Sequence, residues 1–199
     1  QAGSQTVRLP VTVQGMEQDQ PVSFRRDVVA ALNVGGCNMG ACHGTPSGKN
    51  GFRLSLRGDD PSFDYAQLTR EQFGRRTGRH NAEQSLIFLK GVGRVPHEGG
   101  QRFSPSSLAA EMLLAWLSEG LRDDPANLPP LQEVRVQPGP RVQTAPARWQ
   151  QLAVLARFAD GHQRDVTRLS NYSSSDPSIA EVSPNGLVEF KRGGEVAIL

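Results

Sequence analysis

The chain has 199 residues, of which 37 % are hydrophobic and 21 % are charged, a composition that suits one or two small domains. Its formal net charge of +2 is too close to zero to predict binding to nucleic acid or to an anionic membrane surface. No apolar run approaches the roughly 20 residues of a membrane-spanning helix, and no signal peptide is recognisable, so we expect a mature or trimmed chain.

The start of the chain predicts a strand followed by a helix. Apolar residues alternate from Thr6 to Val13, and Pro10 places this strand at a sheet edge. Ser23 is a suitable N-cap for a helix through Phe24 to Leu32, which the pair Gly35-Gly36 would end.

Both cysteines of the chain lie in one seven-residue run, Cys37-Asn38-Met39-Gly40-Ala41-Cys42-His43. A Cys-x-x-Cys-His sequence is the attachment signature of c-type haem, in which two thiols add to the haem vinyl groups and the adjoining imidazole binds the iron. Here the spacer has four residues instead of two. On a helix the two cysteines would point about 140° apart, so the spacer must bulge. Gly40 is the residue expected to allow this, because glycine tolerates positive φ.

The residues alone leave two other roles open for Cys37 and Cys42. They could close a small disulfide loop, which is common outside the cytosol. They could also contribute to a zinc site, although the usual second pair of Cys or His ligands is missing nearby. Haem attachment is the interpretation that we favour, and the role of His43 depends on it.

The stretch after the motif predicts short elements separated by turns. A strand is expected at Phe52 to Leu56, followed by a turn at Gly58 to Pro61 and a helix from Ser62 to Leu68. Asn81 is a suitable cap for a further helix, which Gly91 would end.

The strongest helical signal of the chain follows a loop predicted at Val95 to Gly100. Ser104, with Pro105 at the first helical position, is expected to open this helix, and Gly120 lies at its end. Its apolar residues have helical spacing and form one stripe: Leu108, Met112, Leu113, Trp116 and Leu117.

A helix, a cysteine motif, a long loop and a terminal helix with a tryptophan form the layout of a small class I cytochrome c. Residues 24–122 resemble, more specifically, the planctomycete-type cytochrome c domain. The segments that carry this resemblance are Cys37–Gly44, Gly51–Gly58, Ser85–Lys90 and Pro96–Gly100. A four-residue spacer between the cysteines is usual in that family.

This resemblance implies a mainly α, class I-like cytochrome c domain that carries one covalent haem c. The haem would be attached to Cys37 and Cys42, with His43 as the proximal iron ligand. The resemblance also implies an extracytoplasmic protein, periplasmic or associated with the cell surface. Such domains usually form the front module of larger multidomain proteins.

His97 is the candidate for the distal iron ligand. In class I cytochromes c the second ligand comes from the loop just before the last helix, where His97 lies between Pro96 and the pair Gly99-Gly100. Two alternatives stay open: a lone loop histidine is often solvated, and Met112 is a rival ligand, although it falls on the helix stripe. The other methionines and histidines are not expected to bind iron: Met16, Met39, His80 and His162.

Three arginines, Arg75, Arg76 and Arg79, follow closely on one another. They could form charge-assisted hydrogen bonds with haem propionates. A solvated, charged turn is the interpretation that we prefer for them.

The character of the chain changes after Leu121. A proline-rich linker is predicted at residues 125–130, and short alternating strands with regular turns then predict an all-β sandwich. We expect strands at Glu133–Val136, Gln150–Phe158, Ala180–Val182 and Leu187–Phe190. Residues 172–188 resemble a bacterial immunoglobulin-like group 2 domain, whose last strand would begin at residues 193–198 and remain incomplete.

The sequence therefore predicts a mixed, multidomain chain: a cytochrome c domain at residues 1–124, a linker at 125–130 and an immunoglobulin-like domain at 131–199. The expected function is one-electron transfer to a redox partner protein or to C-terminal domains outside this chain. An open sheet edge at residues 194–199 could also pair with a second copy and give a homodimer.

Two other functions remain as alternatives. One is a haem-based gas sensor or peroxidase-like site with a vacant sixth position, and the other is a haem-free structural or adhesion module. No catalytic triad and no paired carboxylates are recognisable, so we expect no catalytic activity from this chain by itself.

Overall fold

The computed structural model describes residues 8–13, 20–78 and 80–199. The α-helices within these ranges are α1 (Val29–Val34), α2 (Pro61–Thr69), α3 (Leu86–Gly91) and α4 (Leu108–Ser118). A π-helical turn, Phe24–Val28, leads directly into α1, and short 3₁₀ turns lie at Leu56–Gly58, Glu71–Gly74, Ala82–Gln84 and Thr167–Leu169. None of the helices in the described part of the chain is long and apolar enough to cross a lipid bilayer.

The strands of the described residues form two antiparallel sheets of three strands each, with the orders β1-β3-β4 and β2-β6-β5. These strands are β1 (Leu131–Gln137), β2 (Trp149–Gln151), β3 (Ala153–Phe158), β4 (Gln163–Asp165), β5 (Ala180–Val182) and β6 (Leu187–Phe190). The protein thus combines helices with antiparallel sheets, and the prediction of a mixed fold class is confirmed at this level.

The first helix begins where the sequence predicts. The hydroxyl oxygen of Ser23 accepts a hydrogen bond from the backbone N–H of Arg26, at 3.1 Å, which satisfies one of the free donors of the first turn. The helix continues two residues beyond the predicted end at Leu32 and stops at Gly35.

Two predicted strands are absent from the described residues. Residues 8–13 form no strand, and the side chains of Leu9, Val11 and Val13 are exposed, while Thr6 and Val7 lie outside the described residues. Alternation alone does not make a strand without a neighbouring chain to accept its hydrogen bonds.

The predicted strand at Phe52 to Leu56 is also wrong. Phe52 pairs only with Lys49, in an isolated bridge. The next backbone N–H groups bind elsewhere, since Leu54 donates to the carbonyl of His43 at 2.8 Å and Ser55 donates to the buried Asp64 carboxylate. The segment therefore supports the histidine and α2 and does not join a sheet.

Helix α4 starts three residues later than the sequence predicts. Ser104 to Ser107 form a hydrogen-bonded turn instead, and the Ser107 hydroxyl caps α4 by accepting from the N–H of Ala110 at 3.3 Å. Of the predicted stripe, Leu113, Trp116 and Leu117 are buried, whereas Met112 is only half-buried.

Trp116 lies at the centre of the helical core and is fully buried. Its ring centroid is 5.2 Å from that of Phe24, and its indole N–H donates to the carbonyl of Arg122 at 2.8 Å. The π-helical turn, α1 and α4 pack on one another around this ring, so the first and last helices of the helical region are in contact.

The strand expected at Gln150 to Phe158 is divided between the two sheets. Residues 149–151 pair with β6, whereas residues 153–158 pair with β1 and β4. The change occurs at the buried Leu152, whose N–H donates to the carbonyl of Gly186 at 2.8 Å. β5 and β6 have the predicted bounds, and β1 is longer than predicted by two residues at its start and one at its end.

The predicted last strand at residues 193–198 is not formed as a strand. Only its end pairs with another segment: two hydrogen bonds join Ser173 and Leu199, Ser174 and Ile198 form a bridge, and the N–H of Ser175 donates to the carbonyl of Ala197 at 2.9 Å. This pairing is too short to continue either sheet. The dimer that an open edge at these residues would permit stays a prediction.

The first helix contacts the proline-rich stretch and the strand region. The guanidinium of Arg26 donates to the carbonyl of Pro129 and lies over the ring of Phe158, 3.8 Å from its centroid. The buried carboxylate of Asp27 forms an ion pair with Arg164 on β4. Residues 125–130 are therefore fastened to the helical region at one end, while their role as a domain linker stays a prediction.

Candidate functional site

All four predicted site residues line one cavity of about 450 Å³. They are Cys37, Cys42, His43 and His97. The wall also includes the turn at residues 49–52, the α3 residues Leu86, Ile87, Lys90 and Gly91, the loop that holds His97, and the side chains of Gln72, Arg75, Arg76 and Arg102. This volume lies within the range of small-molecule and cofactor pockets, about 300–1,000 Å³.

The cysteine motif forms a closed loop that is not helical. The N–H of His43 donates to the carbonyl of Cys37 at 2.9 Å, which joins the first and last residues of the motif. The N–H of Cys42 donates to the carbonyl of Met39 at 2.9 Å. The bulge that the four-residue spacer predicts is therefore present.

The sequence suggested that Gly40 makes this loop possible. In the structure the glycine that does so is Gly44. Gly40 does not have a positive φ, and a Cβ there would meet only Leu56 Cδ1, at 4.0 Å. A Cβ on Gly44 would lie 2.2 Å from the backbone oxygen of Asn38, far inside van der Waals contact. The spacer therefore folds back against Gly44.

We expect Gly44→Ala to prevent the cysteine loop from forming. Backbone atoms on both sides cannot move apart without breaking the loop, so the loss of stability should rank with the largest single-site effects, above about 4 kcal/mol. Gly40→Ala is the matched control and should change the stability by less than about 1 kcal/mol. Denaturant unfolding of both variants measures the difference, and equal midpoints would contradict the assignment of Gly44.

His43 has one ring nitrogen fixed and the other available. Its Nδ1 lies 3.0 Å from the carbonyl oxygen of Phe52, and a carbonyl oxygen can only accept. The proton of the neutral ring is therefore on Nδ1, which leaves the lone pair of Nε2 for a ligand. Burial lowers the pKa of His43 below its ordinary value, so the imidazole is neutral at physiological pH.

His97 has the same arrangement. Its Nδ1 lies 2.9 Å from the carbonyl oxygen of Gly100, so in the neutral ring the proton is on Nδ1 and the lone pair is on Nε2. The ring centroids of His43 and His97 are 6.3 Å apart, and the two ring planes differ by 11°. At this distance the rings are nearly parallel and do not touch.

The two cysteines have free thiols and different environments. Cys37 is buried, and burial raises the pKa of its thiol to about 11. Cys42 is half-buried and lies on the same cavity wall. The two thiols are not joined in a disulfide.

We expect iodoacetamide to modify Cys42 of the haem-free protein well before Cys37. The thiolate is the reacting species, and with a pKa of about 11 only about one Cys37 thiol in a thousand is ionised at pH 8. Peptide mass spectrometry after timed quenching should show the order, and raising the pH to 10 should accelerate Cys37. In denaturant both sites should react alike, and faster labelling of Cys37 in the folded protein would contradict this reading.

Basic side chains dominate the charges on the cavity wall. They are Lys49, Arg75, Arg76, Lys90 and Arg102, against a single acidic residue among the lining residues of the described chain, Glu98. Arg76 is not the solvated residue that we preferred from the sequence. It is 7 % exposed and donates to the carbonyls of Gln67 and Gly51, each at 2.7 Å.

Arg76 also supports His43 indirectly. Its guanidinium lies 4.5 Å from the centroid of the Phe52 ring, and that ring lies 4.5 Å from the ring of His43. Phe52 supplies the carbonyl that fixes His43, so the arginine holds the segment that orients the His43 ring. Arg75 is exposed, as predicted, and Arg79 lies outside the described residues.

The other sequence candidates lie away from the cavity. Met39 is half-buried in the cysteine loop and Met112 half-buried on α4, and neither lines the cavity. His80 and His162 are exposed, and Met16 lies outside the described residues. Within the described ranges, no group of three or more His, Cys, Asp or Glu side chains is arranged to hold a metal ion.

Comparison with known proteins gives no match, either to a protein-family model or to a curated protein. The function is therefore inferred from the residues of the cavity and from their arrangement.

Proposed function

We propose that this chain binds one haem c covalently in the cavity and transfers single electrons. Cys37 and Cys42 would carry the thioether bonds, and His43 and His97 would bind the iron from its two sides. The observation that carries this proposal is the pair of histidine rings, 6.3 Å apart on the wall that also holds both thiols.

The separation of the two rings suits one metal ion between them. Two imidazoles that bind a metal from opposite sides put their centroids roughly 6.2–6.4 Å apart, because a metal–nitrogen bond is about 2.0 Å and ring atoms lie about 1.15 Å from the centroid. The observed 6.3 Å is within this range. This agreement in distance supports a haem iron with two histidine ligands.

In the neutral form, both histidines have the tautomer that a ligand needs. Each uses its Nδ1–H on a backbone carbonyl, which sets the tautomer and fixes the ring orientation. Such outer hydrogen bonds keep the ligands in place while the charge at the centre changes. Haem supplies a one-electron iron couple, and two permanent protein ligands favour electron transfer over binding of small molecules.

The lysine and arginine side chains of the cavity wall would contribute to haem binding and function in two ways. Their guanidinium and ammonium groups suit the carboxylates of an anionic cofactor. Their positive charge also favours uptake of an electron, because opposite charges attract more strongly in a partly buried site than in water. Arg76 is best placed for the second task, since it is buried and adjoins the Phe52 segment.

The resemblance of the motifs supports the same proposal. The helical region would be a planctomycete-type cytochrome c domain, and the strand region an immunoglobulin-like group 2 domain. The protein would then act outside the cytoplasm, with a redox partner protein or with domains that this chain does not include.

Expression with export and with haem-ligation machinery tests the proposal. The intact mass should increase by one haem, no thiol should remain titratable, and the reduced protein should show the sharp visible bands of a low-spin haem. Expression in the cytoplasm without that machinery should give colourless protein of unmodified mass. An exported protein with unmodified mass and two free thiols would overturn the proposal.

A further inference from the structure

Arg102 connects the segment before the first cysteine with the loop that holds His97. Its Nε donates to the carbonyl of Gly35 at 2.6 Å, and its Nη1 donates to the carbonyl of Gly99 at 3.1 Å. Gly35 lies two residues before Cys37, and Gly99 lies two residues after His97. One guanidinium therefore links the segment before Cys37 to the His97 loop.

The surroundings of Arg102 are built to receive this side chain. Gly36 has φ +69°, and a Cβ there would lie 2.5 Å from Arg102 Nη2. The backbone N–H of Arg102 donates to the carbonyl of Gly91 at 2.8 Å, which fixes the arginine at the end of α3. The guanidinium thus has a rigid base and a space that only glycine leaves open.

The His97 loop has little else to hold it. Among the described residues, two side chains from outside the loop donate to residues 95–100: Arg102 to Gly99, and Lys90 to the carbonyl of Pro96 at 2.9 Å. Both contacts are exposed, but an ammonium on a flexible stem positions a partner less firmly than a planar guanidinium. The loop residues Pro96 and Glu98 to Gly100 are themselves exposed.

We infer that Arg102 is a positioning residue for His97. By holding Gly99 at a fixed distance from Gly35, it keeps the His97 ring opposite His43 and keeps external ligands away from the sixth iron position. This inference rests on the proposed haem function for its consequence at the iron, but the placement of the loop is a property of the protein chain itself.

The haem-loaded protein gives the first test. Arg102→Gln should raise the rate at which carbon monoxide binds the reduced protein by about tenfold or more, the effect of losing a charge-assisted hydrogen bond that holds the loop closed. Arg94→Gln is the matched control, because Arg94 lies just before the same loop, is exposed and does not line the cavity. It should change the rate by less than about twofold. Equal rates in the two variants would overturn the inference.

The haem-free protein gives a second test that does not depend on haem. The N–H of Gly100 donates to the carbonyl of His97 at 2.8 Å within the loop, so its hydrogen exchange reports on loop opening. Exchange should be faster in Arg102→Gln than in the wild type and unchanged in Arg94→Gln. Unchanged exchange in Arg102→Gln would overturn the inference even if haem binds as proposed.

Arg102→Lys is a control for the possibility that Arg102→Gln acts only by destabilising the fold. It keeps the charge but cannot reach both carbonyls with one rigid fork, so exchange and carbon monoxide binding should lie between those of the wild type and Arg102→Gln. Wild-type values for Arg102→Lys in both measurements would mean that charge alone is needed, and would overturn the positioning role. A wild type that takes up no haem would refute the proposed function but leave the exchange test intact.

Discussion

Replacing both Cys37 and Cys42 with alanine should remove all haem from the protein on acid–acetone extraction, whereas the wild type should keep its haem. Thioether bonds survive acid and denaturation, but coordination by His43 and His97 does not, because acid protonates the imidazoles. The retained fraction should fall from nearly all to nearly none, which makes this the largest effect that we expect from any substitution.

The single variants test the two attachment points separately. Each of Cys37→Ala and Cys42→Ala should keep one thioether, and therefore its colour after extraction, with an altered spectrum and a lower yield. Absorbance of the extracted protein and intact mass measure both outcomes. If the double variant kept its haem after extraction, the haem would be attached elsewhere and the role of the motif would be wrong.

His97→Ala should convert the low-spin spectrum to a high-spin one and open the iron to carbon monoxide. Without the His97 ring, no other sequence candidate among the described residues lines the cavity opposite His43, so the sixth position would be left to water or added ligands. His97→Met should keep a protein ligand and raise the reduction potential, because methionine ligation raises the potential of a c-type haem.

His162→Ala is the control for these variants, because His162 is exposed in the strand region and does not line the cavity. It should leave the spectrum, the carbon monoxide reaction and the potential as in the wild type. An unaltered spectrum in His97→Ala, or a methionine charge-transfer band in the oxidised wild type, would show that His97 is not the ligand.

Much of the candidate site could be predicted because Cys37, Cys42 and His43 belong to one short sequence motif. Adjacent residues such as Cys42 and His43 lie together in any fold. His97 was predicted from the resemblance to a cytochrome c domain, in which the loop before the last helix provides the second ligand. The groups that orient these residues could not be predicted in the same way. The carbonyl of Phe52 and the guanidinium of Arg102 have no signature, because their directions depend on how distant segments pack.

The wrong prediction of Gly40 in place of Gly44 has the same cause, because it depends on how distant segments pack. A bulge in the cysteine spacer follows from residue counting, but the sequence does not say which glycine lies against the returning backbone. Gly40 is inside the spacer and Gly44 is outside it, and only the fold shows that Asn38 turns back onto Gly44. The spacing of the cysteines predicts that two backbone segments must come close together, but it does not predict at which residue.

The fold was predictable where side chains near in sequence decide the structure. The cap at Ser23 and the bounds of β5 and β6 are such cases. The errors occur where the partner is remote. Residues 52–56 have the apolar residues of a strand, but their N–H groups find His43 and Asp64 instead of a neighbouring strand.

The contacts of the first helix also bear on the proposed electron transfer. Arg26 holds Pro129 and covers Phe158, and Asp27 pairs with Arg164. The proline-rich stretch is therefore not a flexible linker between the helical region and the strand region. In the proposed electron transfer, a partner bound to the strand region would therefore lie at a fixed distance from the histidine cavity.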